Sequence, residues 1–479
     1  MTRYFIFLLG FLSLIPYGIA WRLGDLRQNT VGFLVVFLAA FALYAVATIL
    51  AMRIKTFTHR DLIMTFVLAM GMQGFLIFTP PTLSDDMYRY VWNGRIQTHG
   101  ISPYQYPPNS PELAHLRDAA IYPHINRKAS VTIYPPAAET AYAVLWRIWP
   151  DSVRWFQIAM AAGGLLAGIL LLKVLAQLHL SPARVLIYLW SPLLHFETAH
   201  AAHVDGLILP LLVGAWWARL RERDSLVGIL LGLATAVKLY PIILLPSLWR
   251  SQERQGRWQM PLAFTLTLTI CYAPAVLDNG IGVIGYLPDY LHESFNRGVP
   301  AGSLYLLFTR LGIDSNLGVL LVMLLTLSLI AFIQVWQPAT DGVTAVRRCL
   351  WPMAAFTLLT QNLCAWYLLW LLPLIALFLQ PGLNRTQFAP VLSEKSLSGI
   401  QHLKLRLITI SKSNIHIDAW SGWWLFSGLI ALSYSYFIYG RPILWLAALQ
   451  FLPLYLFLLL DLARYLTDTP QLGESSYSL

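Results

Sequence analysis

The residues of this chain best suited to chemistry are two adjacent carboxylates, Asp85 and Asp86, which follow an apolar run of helical length. Carboxylates at the end of a membrane helix are costly in hydrocarbon, so they usually serve a function. One can accept a proton from a hydroxyl, or the pair can bind an ion. Because adjacent carboxylates repel, we expect Arg89 or Arg95 to neutralise one of them. The structural alternative is an N-cap for the following helix.

The composition indicates an integral membrane protein, because 57% of the 479 residues are hydrophobic, 12% are charged and the mean hydropathy is +0.59. Apolar runs long enough to span a membrane lie at 4–21, 31–52, 61–80, 154–177, 260–277, 316–336, 422–440 and 443–461. Shorter or broken runs lie at 184–200, 205–219, 226–249, 349–363 and 365–380. The predicted fold is an all-α polytopic membrane protein with about 12–14 transmembrane helices.

The distribution of Lys and Arg predicts a cytoplasmic N-terminus and places the segments 81–153 and 278–315 outside. The expected organisation is a set of N-terminal membrane helices at 1–60, a membrane module at 61–380 that carries both external loops, a polar cytoplasmic linker at 381–420, and a C-terminal helix pair and tail at 421–479. The basic excess is thus a topology signal, and no nucleic-acid partner is needed to explain it. The carboxylate pair is expected at the outer face.

The first external loop contains a predicted helix from Asp85 to Gly100. Its apolar and aromatic positions recur at helical spacing, which predicts an amphipathic helix along the outer interface, with aromatic residues at headgroup depth. The residues on this face are Tyr88, Val91, Trp92, Arg95 and Ile96. Tyr104 and Tyr134 follow in Pro-containing turns, and a second short helix at 137–149 is expected to be juxtamembrane.

Lys238 is a cation within an apolar run, directly before Leu239, Tyr240 and Pro241. Proline lacks an amide and clashes with the preceding turn, so the run is expected to break here into two half-helices. A broken helix at membrane depth must face protein or a watery cavity. The lysine needs a counter-ion, for which a lipid phosphate is suitable. Snorkelling to the interface is the alternative.

Glu197, His200, His203 and Asp205 are spaced so that they could gather a divalent cation, although a polar turn between two helices explains them equally well. No metal or other cofactor is required by the sequence. Further along, Trp366 and Tyr367 could form a sugar platform or part of an aromatic belt.

These motifs, in this order, resemble a known family. The carboxylate pair after an early membrane helix, then Gly100-x-Ser102-Pro103-Tyr104 and Tyr134-Pro135-Pro136, is similar to the first external loop of GT-C glycosyltransferases. The likeness is to polyprenyl-phosphate-mannose-dependent mannosyltransferases, including bacterial alpha-1,6-mannosyltransferases. His203-Val204-Asp205, Lys238 to Pro241 and the run from Ala365 to Pro373 also resemble motifs of that group, so the likeness covers roughly residues 60–380.

The resemblance implies a hexosyltransferase in a bacterial inner membrane that acts at the outer face. It implies transfer of a hexose, with mannose expected, from a polyprenyl-phosphate donor to a glycan or lipid hydroxyl, with inversion. Comparison with the family's leading aspartate favours Asp85 as general base, with Asp86 assisting. The expected substrate-binding residues are Tyr88, Arg89, Arg95, Tyr104, Tyr134, His203, Asp205, Lys238, Tyr240, Trp366 and Tyr367.

The chain departs from the family pattern at two places, because Asn93 stands where an acidic residue is common and Cys364-Ala365 replaces a frequent His-Pro pair. These departures keep open a non-catalytic assembly subunit. A transporter or flippase of lipid-linked sugars is a further alternative, since transporters also use broken helices and buried charges.

Overall fold

The computed structural model describes residues 2–54, 56–249, 258–293, 297–380, 419–440 and 443–468. This part of the chain contains helices and turns and no β-strand, so the all-α prediction is confirmed. The α-helices in chain order are α1 Thr2–Leu23, α2 Thr30–Ala51, α3 His59–Ile77, α4 Asp86–Thr98, α5 Pro136–Ile148, α6 Val153–Gln177, α7 Val185–Leu189, α8 Pro192–His195, α9 Asp205–Leu220, α10 Asp224–Val237, α11 Leu245–Leu248, α12 Gln259–Asn279, α13 Leu287–His292, α14 Val299–Arg310, α15 Ser315–Trp336, α16 Gly342–Arg348, α17 Leu350–Leu359, α18 Leu371–Phe378, α19 Ala419–Leu429, α20 Tyr436–Tyr439 and α21 Leu444–Asp468. Short 3₁₀ helices occupy Pro111–Leu116, Tyr122–His124, Pro182–Arg184, Tyr240–Leu244, Gly280–Ile284, Ala365–Leu368 and Ile430–Ser435, and a π-helical turn occupies Phe196–His200.

Among the described residues, 7 helical segments are long and apolar enough to cross a membrane, which confirms a multi-pass membrane protein. They are α1, α2, α3, α6, the segment Gln259–His292, α15 and Trp445–Ala463 within α21. The other predicted passes correspond to helices that are too short to cross a membrane singly. The predicted span at 422–440 is not one continuous α-helix, because a 3₁₀ segment separates α19 from α20.

The predicted break at Lys238 is confirmed. Helix α10 ends at Val237, and Lys238 has an extended backbone with φ −155° and ψ 134°. A 3₁₀ turn with Pro241 near its start follows, and then the single turn α11. Of the predicted linker at 381–420, residues 381–418 lie outside the described residues, and Ala419 and Trp420 begin α19.

The centre of the molecule is formed by short helices rather than by the long ones. Helices α7, α8 and α18 and the π-helical turn are buried along their whole length, whereas α12, α15 and α21 expose apolar side chains on the outside of the bundle. Helices α6 and α9 approach closely at Gly163 and Gly206, where a Cβ on Gly163 would lie 2.2 Å from the Gly206 carbonyl oxygen. Small residues permit this backbone contact. It fixes the start of α9, and therefore Asp205, against α6.

Helices α4 and α5 pack on each other. Gly94 permits this contact, since a Cβ there would lie 2.6 Å from the Tyr142 carbonyl oxygen. Tyr90 and Trp92 are fully buried, so the prediction that the aromatic residues of α4 anchor it at headgroup depth is wrong for Trp92. The physical reason is that α5 and the loop 99–135 cover α4, leaving Tyr88 as its half-buried aromatic residue. The short juxtamembrane helix predicted at 137–149 is present as α5.

Candidate active site

Asp85 occupies the N-cap position of α4 without making a side-chain capping bond. Its carboxylate instead accepts two hydrogen bonds from Arg27, with Nη2 to Oδ1 at 2.9 Å and Nη1 to Oδ2 at 3.3 Å. Arg27 lies in the connection between α1 and α2 and also covers the ring of Phe437. Sequence analysis missed Arg27, because nothing in the spacing links that connection to the start of α4.

Asp86, the first residue of α4, has a different environment. Its Oδ1 accepts a hydrogen bond of 2.6 Å from the Asn126 amide, and its Oδ2 accepts none from the described residues. Arg127, which follows Asn126 in the sequence, forms an ion pair with Glu293, the residue directly after α13. That pairing raises the pKa of Arg127 and lowers the pKa of Glu293. Asn126 and Arg127 were also missed, because the polar stretch around them has no periodicity.

Among the described residues, Arg89 makes no hydrogen bond or ion pair with Asp85 or Asp86, although the negative charge of Asp86 lies close enough to favour its charged form. Its side chain is buried, donating to Asn93 Oδ1 at 3.0 Å and to the carbonyls of Arg127 and Ser130 at 3.3 and 2.9 Å. Asn93 in turn donates to Glu139 Oε1 at 2.8 Å. Glu139 therefore supplies, from α5, a carboxylate next to the position where the family often has one. Burial raises its pKa to about 7 and lowers that of Arg89 to about 10.

Arg95 does not reach the carboxylate pair either. Its guanidinium binds Asp118 and Asp151 and donates to the Leu116 carbonyl at 2.9 Å. Arg95 lies on a different side of α4 from Asp85, because its side chain faces the loop after α4 and the turn after α5. This arrangement ties the loop together and gives Arg95 no visible substrate role.

His203 contacts residues from both the early and the late motifs of the sequence. Its Nε2 lies 3.1 Å from Ser84 Oγ, next to the carboxylate pair, and its Nδ1 lies 3.0 Å from Glu197 Oε2. Its ring stacks on Trp366 with a centroid distance of 3.8 Å. Motifs more than 100 residues apart therefore meet here, and Trp366 belongs to this cluster rather than to a lipid-facing belt.

Lys238 has its counter-ion within the protein, since Nζ lies 2.7 Å from Asp205 Oδ2. The Tyr240 hydroxyl donates to the other oxygen of Asp205. Nζ also lies 5.2 Å from the ring centroids of both Tyr240 and Tyr367. The break after α10 thus holds the ammonium at the start of α9, where Asp205 is fixed.

An aromatic path connects Lys238 with the neighbourhood of Asp86. The Tyr367 hydroxyl lies 3.2 Å from the Tyr290 hydroxyl, and the Tyr290 ring lies 5.6 Å from the guanidinium carbon of Arg127. Arg127 follows Asn126, which binds Asp86. The structure therefore brings a carboxylate and two cations to the same region.

Two tyrosines expected to bind substrate, Tyr104 and Tyr134, stabilise the loop between α4 and α5. Tyr104 donates to the Tyr134 carbonyl at 2.7 Å, and the Tyr134 ring packs edge-on against Tyr90. Tyr104 also lines a groove of about 580 Å³ between this loop and the end of α12. Tyr88 stacks on His124 and lines a second groove of about 460 Å³ between α3 and α6.

In the described part of the chain, no three His, Cys, Asp or Glu side chains are grouped so that they could hold a metal ion. His200, which the sequence placed in a possible cation cluster, is buried with neither ring nitrogen hydrogen-bonded.

Comparison with known proteins agrees with these motifs. Residues 19–250 match the MptA/B family, described as alpha-(1->6)-mannopyranosyltransferase, N-terminal domain. GPI mannosyltransferase 1 of Aspergillus fumigatus is 35% identical over 156 residues, covering 29% of this chain and 35% of that protein. The same enzyme of Aspergillus oryzae is 31% identical over 122 residues, covering 24% and 29%, and that of Gibberella zeae is 33% identical over 107 residues, covering 21% and 25%.

The chain thus spans about a third or less of the length of these curated relatives. No solved structure matches it significantly. The matches confirm the resemblance to GT-C mannosyltransferases, and residues 19–250 are similar to the N-terminal domain of the MptA/B alpha-(1->6)-mannopyranosyltransferase family.

Proposed function

We propose that this chain transfers mannose from a polyprenyl-phosphate carrier to a hydroxyl of a glycan acceptor at the outer face of the membrane. The observation that carries the proposal is the placement of Asp86 on an aromatic path that leads to Lys238, with one carboxylate oxygen that accepts no hydrogen bond from the described residues. The family match supports the sugar and the donor class.

The general base is Asp86. The sequence alone favours Asp85, but both oxygens of Asp85 are bonded to Arg27, and a base needs an oxygen that can reach the acceptor hydroxyl. Asp86 has such an oxygen, while Asn126 fixes the orientation of its carboxylate. Asp85 then serves as an ion-paired neighbour that holds the turn.

The donor phosphate is bound by cations. Lys238 has three N–H donors and gives one to Asp205, so the others can face a phosphate oxygen. Arg127 is a second cation in the same region. In the reaction, the acceptor oxygen attacks the anomeric carbon while the bond from that carbon to the phosphate oxygen breaks. The electron pair leaves with the phosphate, and Asp86 takes the acceptor proton.

The acceptor is bound in the groove beside Tyr104. Its polar lining includes Gln97, Gln105, Glu139 and Asp278, and it has no Lys or Arg. Carboxylates and amides suit neutral hydroxyl groups and disfavour a phosphate. Gln97 lies 11 residues after Asp86 on α4, roughly 16 Å along the helix. An acceptor that bridges this distance has more than one sugar unit.

The base assignment is tested with the full chain in lipid nanodiscs, with polyprenyl-phosphate mannose as donor and octyl alpha-1,6-mannobioside as acceptor. Asp86→Asn is expected to lower kcat by about 10²–10⁴-fold, the usual effect of a general base. Asp85→Asn is expected to lower kcat by about tenfold or less, because it removes only an ion pair. A larger loss of kcat in Asp85→Asn than in Asp86→Asn would assign the base to Asp85. Wild-type turnover in both variants would show that neither aspartate is the general base.

The donor site is tested in the same assay with Lys238→Gln, which is expected to raise the donor KM and to leave the acceptor KM unchanged. Lys173→Gln is a matched control, since Lys173 also lies on a membrane helix beside an aromatic ring, Trp217. An equal effect of both substitutions would contradict phosphate binding by Lys238.

A further inference from the structure

Glu197 and His203 face each other in the centre of the protein, with each side chain 1% exposed. The atoms Oε2 and Nδ1 lie 3.0 Å apart, although the N–H is not aligned for a linear hydrogen bond. A buried pair of this kind is often no more stabilising than apolar residues of the same size. Fold stability alone therefore does not account for it.

Hydrogen bonds extend this pair at both ends into a chain of contacts, in which the Glu197–His203 contact itself is a close approach without a hydrogen bond. At one end, the Tyr434 hydroxyl donates to Glu197 Oε1 at 2.8 Å. At the other end, His203 Nε2 meets Ser84 Oγ at 3.1 Å, and Ser84 Oγ accepts the amide N–H of Asp86 at 3.3 Å. The chain Tyr434–Glu197–His203–Ser84 thus ends on the backbone of the proposed base.

The donors and acceptors are consistent along this chain. Ser84 accepts from Asp86, which leaves its own hydroxyl proton for His203 Nε2. The imidazole proton then lies on Nδ1, where it faces the Glu197 carboxylate. Stacking on Trp366, with 24° between the two rings, keeps the imidazole in this plane.

We propose that the chain Tyr434–Glu197–His203–Ser84 is a positioning device that fixes the His203 tautomer and thereby the start of α4 at Asp86. This inference rests on the proposed function. It assigns no substrate contact to His203, because both ring nitrogens face protein groups and the side chain is buried. It also makes Trp366 and Tyr434 necessary for the site, although both lie outside the family-matched residues 19–250.

The first test is Glu197→Gln in the full chain. The amide of glutamine can present a carbonyl or an NH₂ group to Nδ1, so the tautomer is no longer fixed. In ¹⁵N-histidine NMR, the His203 signals, identified as those missing from His203→Gln, are expected to shift from a single Nδ1–H tautomer to a mixture. An unchanged tautomer would overturn the proposal, and this readout does not depend on transferase activity.

The second test is Tyr434→Phe, which keeps the ring packed edge-on against Phe33 and removes only the hydroxyl. Loss of one buried hydrogen bond is expected to lower kcat about five- to twenty-fold, with both KM values unchanged. Tyr436→Phe is the control, because its side chain is 37% exposed and lies outside the chain of contacts. A wild-type kcat in Tyr434→Phe would contradict positioning. A wild-type protein that transfers no mannose would instead contradict the proposed function, with the NMR result still deciding the tautomer.

Discussion

Arg27 holds Asp85 through two hydrogen bonds, and so joins the connection between α1 and α2 to the first turn of α4. The two residues are 58 positions apart in the sequence. A guanidinium that binds both oxygens of a carboxylate fixes its orientation as well as its charge. Because Asp86 is the next residue, Arg27 also reduces the negative potential around the proposed base.

Replacement of Arg27 by Gln is therefore expected to leave Asp85 without the cation that binds it, directly next to the carboxylate of Asp86. Their repulsion favours protonation of one of them, so the acid limb of the pH profile of kcat/KM is expected to move to higher pH. Arg27→Lys keeps the charge and is expected to give a smaller shift. Superimposable profiles for wild type and Arg27→Gln would show that this ion pair does not act on the base.

The buried carboxyl group of Glu139 is expected to make the free energy of unfolding depend on pH. Burial raises its pKa in the folded protein from 4.5 to about 7, so the folded state binds a proton that the unfolded state has lost between these values. The resulting stability is fully present below about pH 4.5 and is lost as the pH rises to about 7. In Glu139→Gln this dependence is expected to vanish, because the amide is neutral throughout.

The measurement is the thermal unfolding midpoint in detergent at several values between pH 5 and pH 8. As the pH increases, the unfolding midpoint of Glu139→Gln is expected to rise relative to that of the wild type. Glu112→Gln is the control, because Glu112 is an exposed carboxylate in the loop that precedes α5. A constant difference between wild type and Glu139→Gln would mean that Glu139 stays charged.

The sequence predicts the class of fold better than it predicts the partners of the candidate site residues. Composition and hydropathy predict a helical membrane bundle because lipid imposes length and apolarity on each span. Helical spacing also places Arg89 one turn from the carboxylate pair, yet tertiary contacts direct it to Asn93 and the loop carbonyls. The contacts of Arg27 and Asn126 join distant segments that no local period connects.

The break at Lys238 shows what the sequence predicts about the site and what it does not predict. The sequence predicts the break, because Pro241 cannot continue a helix, and it predicts that the lysine needs a counter-ion. It does not predict that Asp205 is that counter-ion, because this depends on how α9 packs on α6. A pair at a separation of 33 residues becomes visible only once the fold is known.

The acceptor groove predicts a change in KM that depends on acceptor length. Gln105→Ala removes a polar group from the groove and is expected to raise the KM for an octyl alpha-1,6-mannotrioside about tenfold, the effect of one or two lost hydrogen bonds. The KM for octyl alpha-mannoside and the donor KM are expected to stay unchanged, because a single sugar does not extend into the groove. His115→Ala, an exposed position of the same loop outside the groove, is the control. Equal KM changes for the short and long acceptors would contradict a remote glycan subsite.

The contact between Gly163 and Gly206 gives a prediction about the position of Asp205. A Cβ on Gly206 would lie 2.5 Å from the Met160 carbonyl oxygen, so Gly206→Ala must push α9 away from α6. Overpacking of this kind costs about 1–3 kcal/mol. The displaced Asp205 would also lose its 2.7 Å contact with Lys238, so the donor KM is expected to rise and the unfolding midpoint is expected to fall.

Gly74→Ala is the matched control, because a Cβ there meets nothing within 4 Å and alanine favours the helix. If Gly206→Ala lowered the unfolding midpoint but left the donor KM unchanged, the close approach of the two helices would serve packing alone, and Asp205 would not depend on it for its place beside Lys238.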